Sequence, residues 1–374
     1  MLYTRPDYYN EFHCVADLCE DTCCAGWQIV SDAKSLRKYH AVKGAFRKRL
    51  RRSIDWRKSA FRQDGEKRCT FLNDDNLCDM YINLGEGSLC RTCRLYPRHV
   101  EVFENVREIT LSISCPEVAD ILMKRVDPVR FVSVEREGED VFDDYDPFLY
   151  SVLADARDEM IVFLQNRSMP VEVRVGMCLG LAHDMQIRVD REELFSCFDV
   201  MERYKKDCAA VFVVRDLSGQ SHNLRFAFVK RIFGLLEVME FLKEDWYVQI
   251  KETQARLFGK NEQHWGKITD EFQIYMSSRD VPWEIQKEQL LVYFIFTYFC
   301  GAVYDGRLYS KVQAAAASVM IIEEMLKCRW IRNEKQIYPE DVTEIVYRYS
   351  REIEHSDQNL KKFEELVHKN WRGR

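Results

Sequence analysis

The chain has little that would place it outside the ordinary globular proteins. It contains no low-complexity tract and no convincing internal repeat. Its 61 Asp and Glu against 55 Lys and Arg leave a formal charge of −6 over 374 residues. So small a charge gives no global nucleic-acid signature, and no nucleic-acid partner is expected. No apolar run reaches the ~20 residues of a membrane-spanning helix. The most apolar stretch, Leu290 to Tyr304, includes Thr297 and Gly301 and reads as a buried core helix. The N-terminus, MLYTRPDYYNEFHC, has no basic stretch followed by an apolar one, so no secretory signal is read there and a cytoplasmic setting is expected. A glycine-rich G-x-G-x-x-G turn is missing; Gly176-x3-Gly180 lies in a helical pattern and is a weak substitute.

What the chain does have is cysteine, unevenly spread. Nine of fourteen fall between Cys14 and Cys115: Cys14, Cys19, Cys23, Cys24, Cys69, Cys78, Cys90, Cys93 and Cys115. Disulfides, chance burial and a metal site are the three physical explanations. Disulfides belong to oxidising compartments, a chain of this length can build a core without them, and nine is an odd number. Chance burial fits the other five, Cys178, Cys197, Cys208, Cys300 and Cys328, which are scattered through helical stretches as small hydrophobes. A metal site fits the nine. Thiolates are soft ligands that select zinc or iron–sulfur clusters. Cys90-x2-Cys93 is a chelate spacing, and Cys69, Cys78 and Cys115 flank it. The ferredoxin runs and the Cys2His2 zinc pattern are both absent, so composition leaves zinc and a cubane cluster open.

At these residues the chain resembles the bacterial flagellin lysine-N-methylases, the FliB family. The motifs are C-x4-C-x3-C-C-A-G-W (Cys14 to Trp27), R-C-x-F-L-N (Arg68 to Asn73) and L-C-D-M-Y (Leu77 to Tyr81). They continue with L-G-E-x3-C-x2-C-x2-Y-P-R-H (Leu84 to His99) and L-S-x-S-C-P-E (Leu111 to Glu117). A softer match runs through YFCGAVYDG (Tyr298 to Gly306). The resemblance implies methyl transfer from S-adenosylmethionine to lysine side chains of flagellin, with a 4Fe–4S cluster on the cysteines. It does not select which four of the nine bind the cluster. The chain departs from the C-x3-C-x2-C of radical S-adenosylmethionine enzymes, because Cys19-x3-Cys23-Cys24 lacks the third spacing. The residues alone leave other classes open: a zinc- or cluster-stabilised binding module, or an iron–sulfur redox protein.

Along the chain, the expected architecture is mainly α. A cysteine-rich metal-binding module with a small β-hairpin (1–134) precedes an acidic linker (135–146) and a helical domain (147–374). Ser31 is read as the N-cap of a helix through about Ile54. Arg37 to Arg68 is strongly basic; it reads either as a solvated amphipathic helix or as an electrostatic dock for an acidic partner or RNA. Alternation from Val100 to Ile113 predicts a hairpin turning at Asn105. Pro116 fits the first turn of a short helix ending near Arg125, whose N-terminus would favour a Cys115 thiolate. Later helices are read on the faces Val152-Ala156-Met160-Phe163, Val173-Met177-Leu181 and Phe228-Ile232-Leu235-Met239-Leu242, and over Ser310 to Lys327. Methylating lysine requires a neutral amine aligned behind the methyl group. Tyr81, Tyr96, Tyr298 and Tyr304 lie in motif-like stretches, but packing explains each as well, and the pattern assigns no catalytic or S-adenosylmethionine-binding residue.

Overall fold

The computed structural model describes residues 1–138, 140–141, 144–218 and 222–371. Part of the acidic stretch, residues 139, 142 and 143, and the Cys208 side chain lie outside the described residues. The protein is mainly helical with a small sheet, as expected. The sheet is larger than a hairpin. Strands β1 (Leu2–Pro6), β4 (Arg98–Phe103), β5 (Val106–Leu111) and β6 (Phe131–Glu135) run in the order β4-β5-β1-β6, while β2 (Ile54–Asp55) and β3 (Ala60–Phe61) form a separate short ribbon. The hairpin β4–β5 pairs Val100 with Ile109 and turns at Glu104 and Asn105. β1 adds to β5 in parallel and β6 closes on β1 antiparallel. Neither edge addition was foreseen: LYTRP and FVSVE are five residues each, too short to show a period of two.

Four short helices lie between β1 and β4: α1 (Ala33–Ala41), α2 (Phe46–Ser53), α3 (Asp79–Leu84) and α4 (Arg91–Leu95). The single helix expected from Ser31 to Ile54 is broken in two. Asp32, not Ser31, is the N-cap, accepting from the Ser35 amide at 2.9 Å, and Gly44 at φ +88° turns the chain between α1 and α2. α5 (Pro116–Lys124) starts at Pro116 with Cys115 as its N-cap, as predicted.

The rest is a stack of helices: α6 (Pro147–Leu164), α7 (Val171–Val189), α8 (Ser196–Tyr204), α9 (Asp207–Ser218), α10 (His222–Gly234), α11 (Glu244–Thr253), α12 (Glu262–Ser277), α13 (Trp283–Tyr298), α14 (Leu308–Arg332), α15 (Pro339–Glu354) and α16 (Asp357–Trp371). α14 is the axis. Its run Ala314–Ala317 is buried, and the small side chains let α7, α13, α15 and α16 close around it. The predicted faces of α6 and α7 are buried. The stripe from Phe228 to Leu242 is interrupted, because α10 ends at Gly234 and a 3-10 turn follows. Leu290 to Tyr304 is core, and no helix among the described residues is long and apolar enough to cross a membrane. The glycine pair of α7 has a packing reason. A Cβ on Gly176 would lie 2.4 Å from Val213, and one on Gly180 would lie 2.7 Å from the Tyr204 hydroxyl.

Two apolar clusters result. The large one joins the inner face of the sheet, α5 and the helices from α6 onward; we call this the body. The small one, the head, contains Ile29, Tyr39, Leu50, Ile54, Phe61, Phe71 and Met80 together with cysteines.

Candidate functional site at the junction of head and body

The small core holds Cys69 and Cys90, with Cys24, Cys78 and Cys93 packed against it. The Cys24 carbonyl accepts from the Cys69 amide at 2.7 Å, tying the first motif to the second, and Leu72 bridges to Cys78. Two sulfur pairs are formed. The Cys23 thiol donates to the Cys24 sulfur, which brings Cys24 down to about 7, and Cys93 does the same for Cys90, also down to about 7. Burial pushes Cys69 up to about 12.

The other four cysteines form a second neighbourhood at the rim. Charge on Cys14 and Cys115 is felt at Cys23, and charge on Cys14 and Arg351 is felt at Cys19. Cys14 is exposed, and the Cys19 thiol reaches the Asp21 carbonyl at 3.4 Å. The expected thiolate at Cys115 is not favoured: burial pushes that thiol up to about 11 and outweighs the amides of Val118 and Glu117. Burial of the sulfur wins over the short helix behind it.

All thirteen described cysteines are free thiols. The nine head cysteines therefore keep the soft, deprotonable donors that a sulfur-ligated metal requires, and five are gathered in one apolar cluster. Among the described residues, no three His, Cys, Asp or Glu side chains converge as a group that could hold a metal ion. The donor chemistry fits a sulfur-bound centre, and the arrangement is one of two neighbouring thiol pairs, Cys23 with Cys24 and Cys90 with Cys93.

Where this head meets α15, polar side chains converge from residues up to 330 positions apart. Arg351 is buried. Its guanidinium binds the Asp21 carboxylate at 2.6 Å, the Asp21 carbonyl at 2.5 Å and the Ser114 carbonyl at 2.8 Å, while lying over the Trp27 ring. Lys243 reaches the same Asp21 carboxylate at 2.7 Å. Asp21, Ala25, Gly26, Trp27, Leu242, Lys243, Arg348, Arg351 and Glu352 line a small recess. Glu352 accepts from the amides of Leu242 and Lys243, at 2.7 and 3.0 Å, and burial pushes its carboxyl up to about 7.

His355, one residue beyond α15, stacks on Trp27 with ring centroids 4.2 Å apart, and its Nε2 lies 2.6 Å from the Ser114 hydroxyl. Ser114 is also shared by Tyr96, at 3.1 Å, and Ser112, at 2.7 Å. Burial first, and then Arg351, push His355 down to about 4, so its ring is neutral near pH 7. On the far side of the same turn, Tyr293 and Tyr298 donate to Glu354.

Of the four tyrosines singled out in the sequence, the structure brings Tyr96 and Tyr298 to the end of α15. Tyr81 and Tyr304 are about half exposed and lie elsewhere. Lys243, Arg351 and His355 escaped the sequence reading. They sit in stretches with no motif, far beyond Cys115 in the chain, and only the fold brings them there. Trp27 and Ser114 were visible as parts of the motifs around Cys24 and Cys115.

The chain matches known proteins. The model of the FliB lysine N-methylase C-terminal domain matches residues 157–373. The flagellar biosynthetic protein FliU of Salmonella muenchen is 32% identical over 132 residues, which is 33% of this chain and 78% of that protein. The lysine-N-methylase of Salmonella choleraesuis is 32% identical, and that of Salmonella typhimurium 30%, each over 132 residues. Those matches span about a third of this chain and a third of each of the two enzymes. No solved structure matches. With its helical body covered by that family model and its relatives bearing the same name, this chain belongs to the FliB lysine N-methylase family.

Proposed function

We propose that this protein transfers methyl groups from S-adenosylmethionine to lysine side chains of flagellin, and that head cysteines hold a 4Fe–4S cluster. Family membership supports lysine methylation, and the name of the FliU relative supports a flagellar substrate. The cluster ligands would be drawn from Cys24, Cys69, Cys78, Cys90 and Cys93, the five gathered in the small core. When bound, S-adenosylmethionine supplies the electrophilic methyl group.

The observation that carries the reading is the match of the helical body to the lysine N-methylase family, with a polar junction at the edge of the head beside it. A lysine ammonium must lose its proton before its nitrogen can attack. Lys243 and Arg351 share the Asp21 carboxylate and Arg348 is paired with Asp245 and Glu344, so each cation of the lining is held in place by a carboxylate; a cation beside the incoming amine disfavours its protonated form. His355, uncharged near pH 7, offers a neutral surface stacked on Trp27. The released proton passes to solvent, because a group held near 4 does not retain it.

The test is methylation of purified flagellin with methyl-labelled S-adenosylmethionine, by protein purified and reconstituted without oxygen. Label in flagellin lysines, found by peptide mass spectrometry, is the expected result. An Arg351→Met variant that retains its iron should lose at least tenfold in rate, with a pH–rate profile displaced to higher pH. Iron-loaded wild-type protein that leaves flagellin unlabelled overturns the proposal.

A further inference from the structure

Charge is distributed far more unevenly than the total of −6 implies. Residues 34–68 contain fourteen Lys and Arg against Asp55, Asp64 and Glu66, a local charge of +11, so the remainder of the chain carries −17. The fold turns these cations outward. α2 buries Leu50 and Ser53 and half-buries Phe46, which leaves Arg47, Lys48, Arg51 and Arg52 exposed on its outer side. Lys38 on α1 and Lys43 in the connection extend the same exposed set. None of these six makes a salt bridge among the described residues. Arg49, by contrast, is paired with Asp79. A solvated helix face needs no such excess of one sign; self-repulsion on this scale is retained at a cost in stability.

The basic segment also ends at the candidate site. Ala25 bridges Arg68, Gly26 donates to the Lys67 carbonyl at 3.1 Å, and Lys67 Nζ donates to the Leu242 carbonyl at 2.8 Å. Ala25, Gly26 and Leu242 line the recess. The C-terminal end of the basic segment therefore lies against the recess.

We infer that the exposed face of α1 and α2 docks an acidic segment of the protein substrate, so that the lysines delivered to the recess are those flanked by Asp and Glu. The inference rests on the proposed protein-methylating activity and adds the class of sequence selected. Two observations favour an acidic polypeptide over nucleic acid. Sequence-tolerant binding of single strands uses exposed aromatic platforms. Here Tyr39 and Phe61 are buried, and Trp56 is occupied by His40, tilted across it with ring centroids 4.0 Å apart, and by its own bond to the Arg51 carbonyl. A long polyanion would also run on to a remainder charged −17, whereas an acidic patch of a few residues would not.

The test is fluorescence anisotropy on the full-length, metal-loaded protein, without S-adenosylmethionine. Three labelled probes are compared: a peptide with one lysine among ten glutamates, the same peptide with glutamines, and an oligouridylate of equal charge. The acidic peptide should bind at low salt, at least tenfold more tightly than either control, and lose at least tenfold between 50 and 300 mM salt. Arg47→Glu/Lys48→Glu/Arg51→Glu/Arg52→Glu should abolish that binding with iron content and circular dichroism unchanged. If this variant does not fold, the corresponding quadruple glutamine variant replaces it and should weaken binding about tenfold.

With methylation followed in parallel, either variant should raise KM for an acidic substrate and leave kcat alone. Tighter binding of the oligouridylate overturns the inference in favour of RNA. Low-salt self-association that the variants abolish, with no peptide bound, overturns it in favour of a second copy of this chain. Equal binding by wild type and variant removes it outright. Because binding is read without turnover, a protein that binds the acidic peptide but methylates nothing contradicts the activity and not the dock.

Discussion

In the body, Cys178, Cys197, Cys300 and Cys328 lie apart from one another among apolar side chains, and burial pushes each thiol up, Cys197 to about 11 and Cys300 to about 12. In the head, Cys24 and Cys90 are brought down to about 7 by the thiols next to them. The same side chain is a small hydrophobe in one region and half of a donor pair in the other. What differs is the company each keeps. The body is built from helices of up to 25 residues around a single core, and it can afford to isolate a thiol. The head has short helices and a small apolar cluster, too little to hold its five clustered thiols in place by burial alone. A bound metal would supply what that core lacks.

The comparison breaks most decisively at the sulfur pairs. On the proposed cluster, Cys90→Ser should abolish iron binding and loosen the head, while Cys178→Ser should leave iron content unchanged, its cost confined to a hydroxyl placed in an apolar site of the body. Metal analysis and hydrogen exchange read both. Iron retained by Cys90→Ser, or lost equally from Cys178→Ser, would erase the distinction between the two regions.

Core truncation is the next largest effect and tests whether the two clusters melt separately. Leu326 in α14 and Leu50 in α2 are both fully buried. Replacing either by alanine costs about 2–5 kcal/mol locally. Leu326→Ala should lower protection from exchange throughout the body. Leu50→Ala should speed exchange in α1 and α2 and lower metal occupancy, with α13 and α14 still protected. Uniform loss from both variants would mean that head and body form one cooperative unit.

The two regions also differ in how much of them could be read from the residues. The body announces itself through periodicity: the faces of α6 and α7 follow from Val152-Ala156-Met160-Phe163 and Val173-Met177-Leu181 because long helices repeat the same spacing over several turns. The head offers few turns. A positive φ at Gly44 splits one apparent helix into two, and β1 and β6 are too short to show alternation. The cysteines stood out by number and spacing, yet their division into five on the small core and four at the rim depends on contacts such as Cys24 with Cys69, 45 residues away. The recess was the least legible part. Arg351 and His355 acquire a role only when α15 packs against the loop carrying Asp21 and Trp27, and no local pattern encodes that approach.

The subtlest expectation concerns pH at this junction. His355 is pushed down to about 4 from an ordinary 6.5, so the unfolded chain holds that proton more tightly; its contribution to stability is present above 6.5 and is lost as pH falls toward 4. Glu352 is pushed up to about 7 from an ordinary 4.5, so the folded chain holds the proton more tightly. Its contribution is present below 4.5 and is lost as pH rises toward 7. At full extent each is on the order of 3 kcal/mol. The slopes oppose one another between 4.5 and 6.5, and in the wild-type protein they largely cancel.

Removing one group uncovers the other. Relative to wild type, Glu352→Gln should gain stability progressively as pH rises through that window, and His355→Gln should gain it as pH falls. Denaturant titrations at pH 4.5, 5.5 and 6.5, followed by tryptophan fluorescence, measure both differences. A Glu352→Gln difference that is the same at all three pH values would show that this carboxyl does not titrate there, and the junction would hold an ordinary carboxylate. A flat His355→Gln difference would place the imidazole in solvent rather than against Trp27, and the recess would lose its neutral wall.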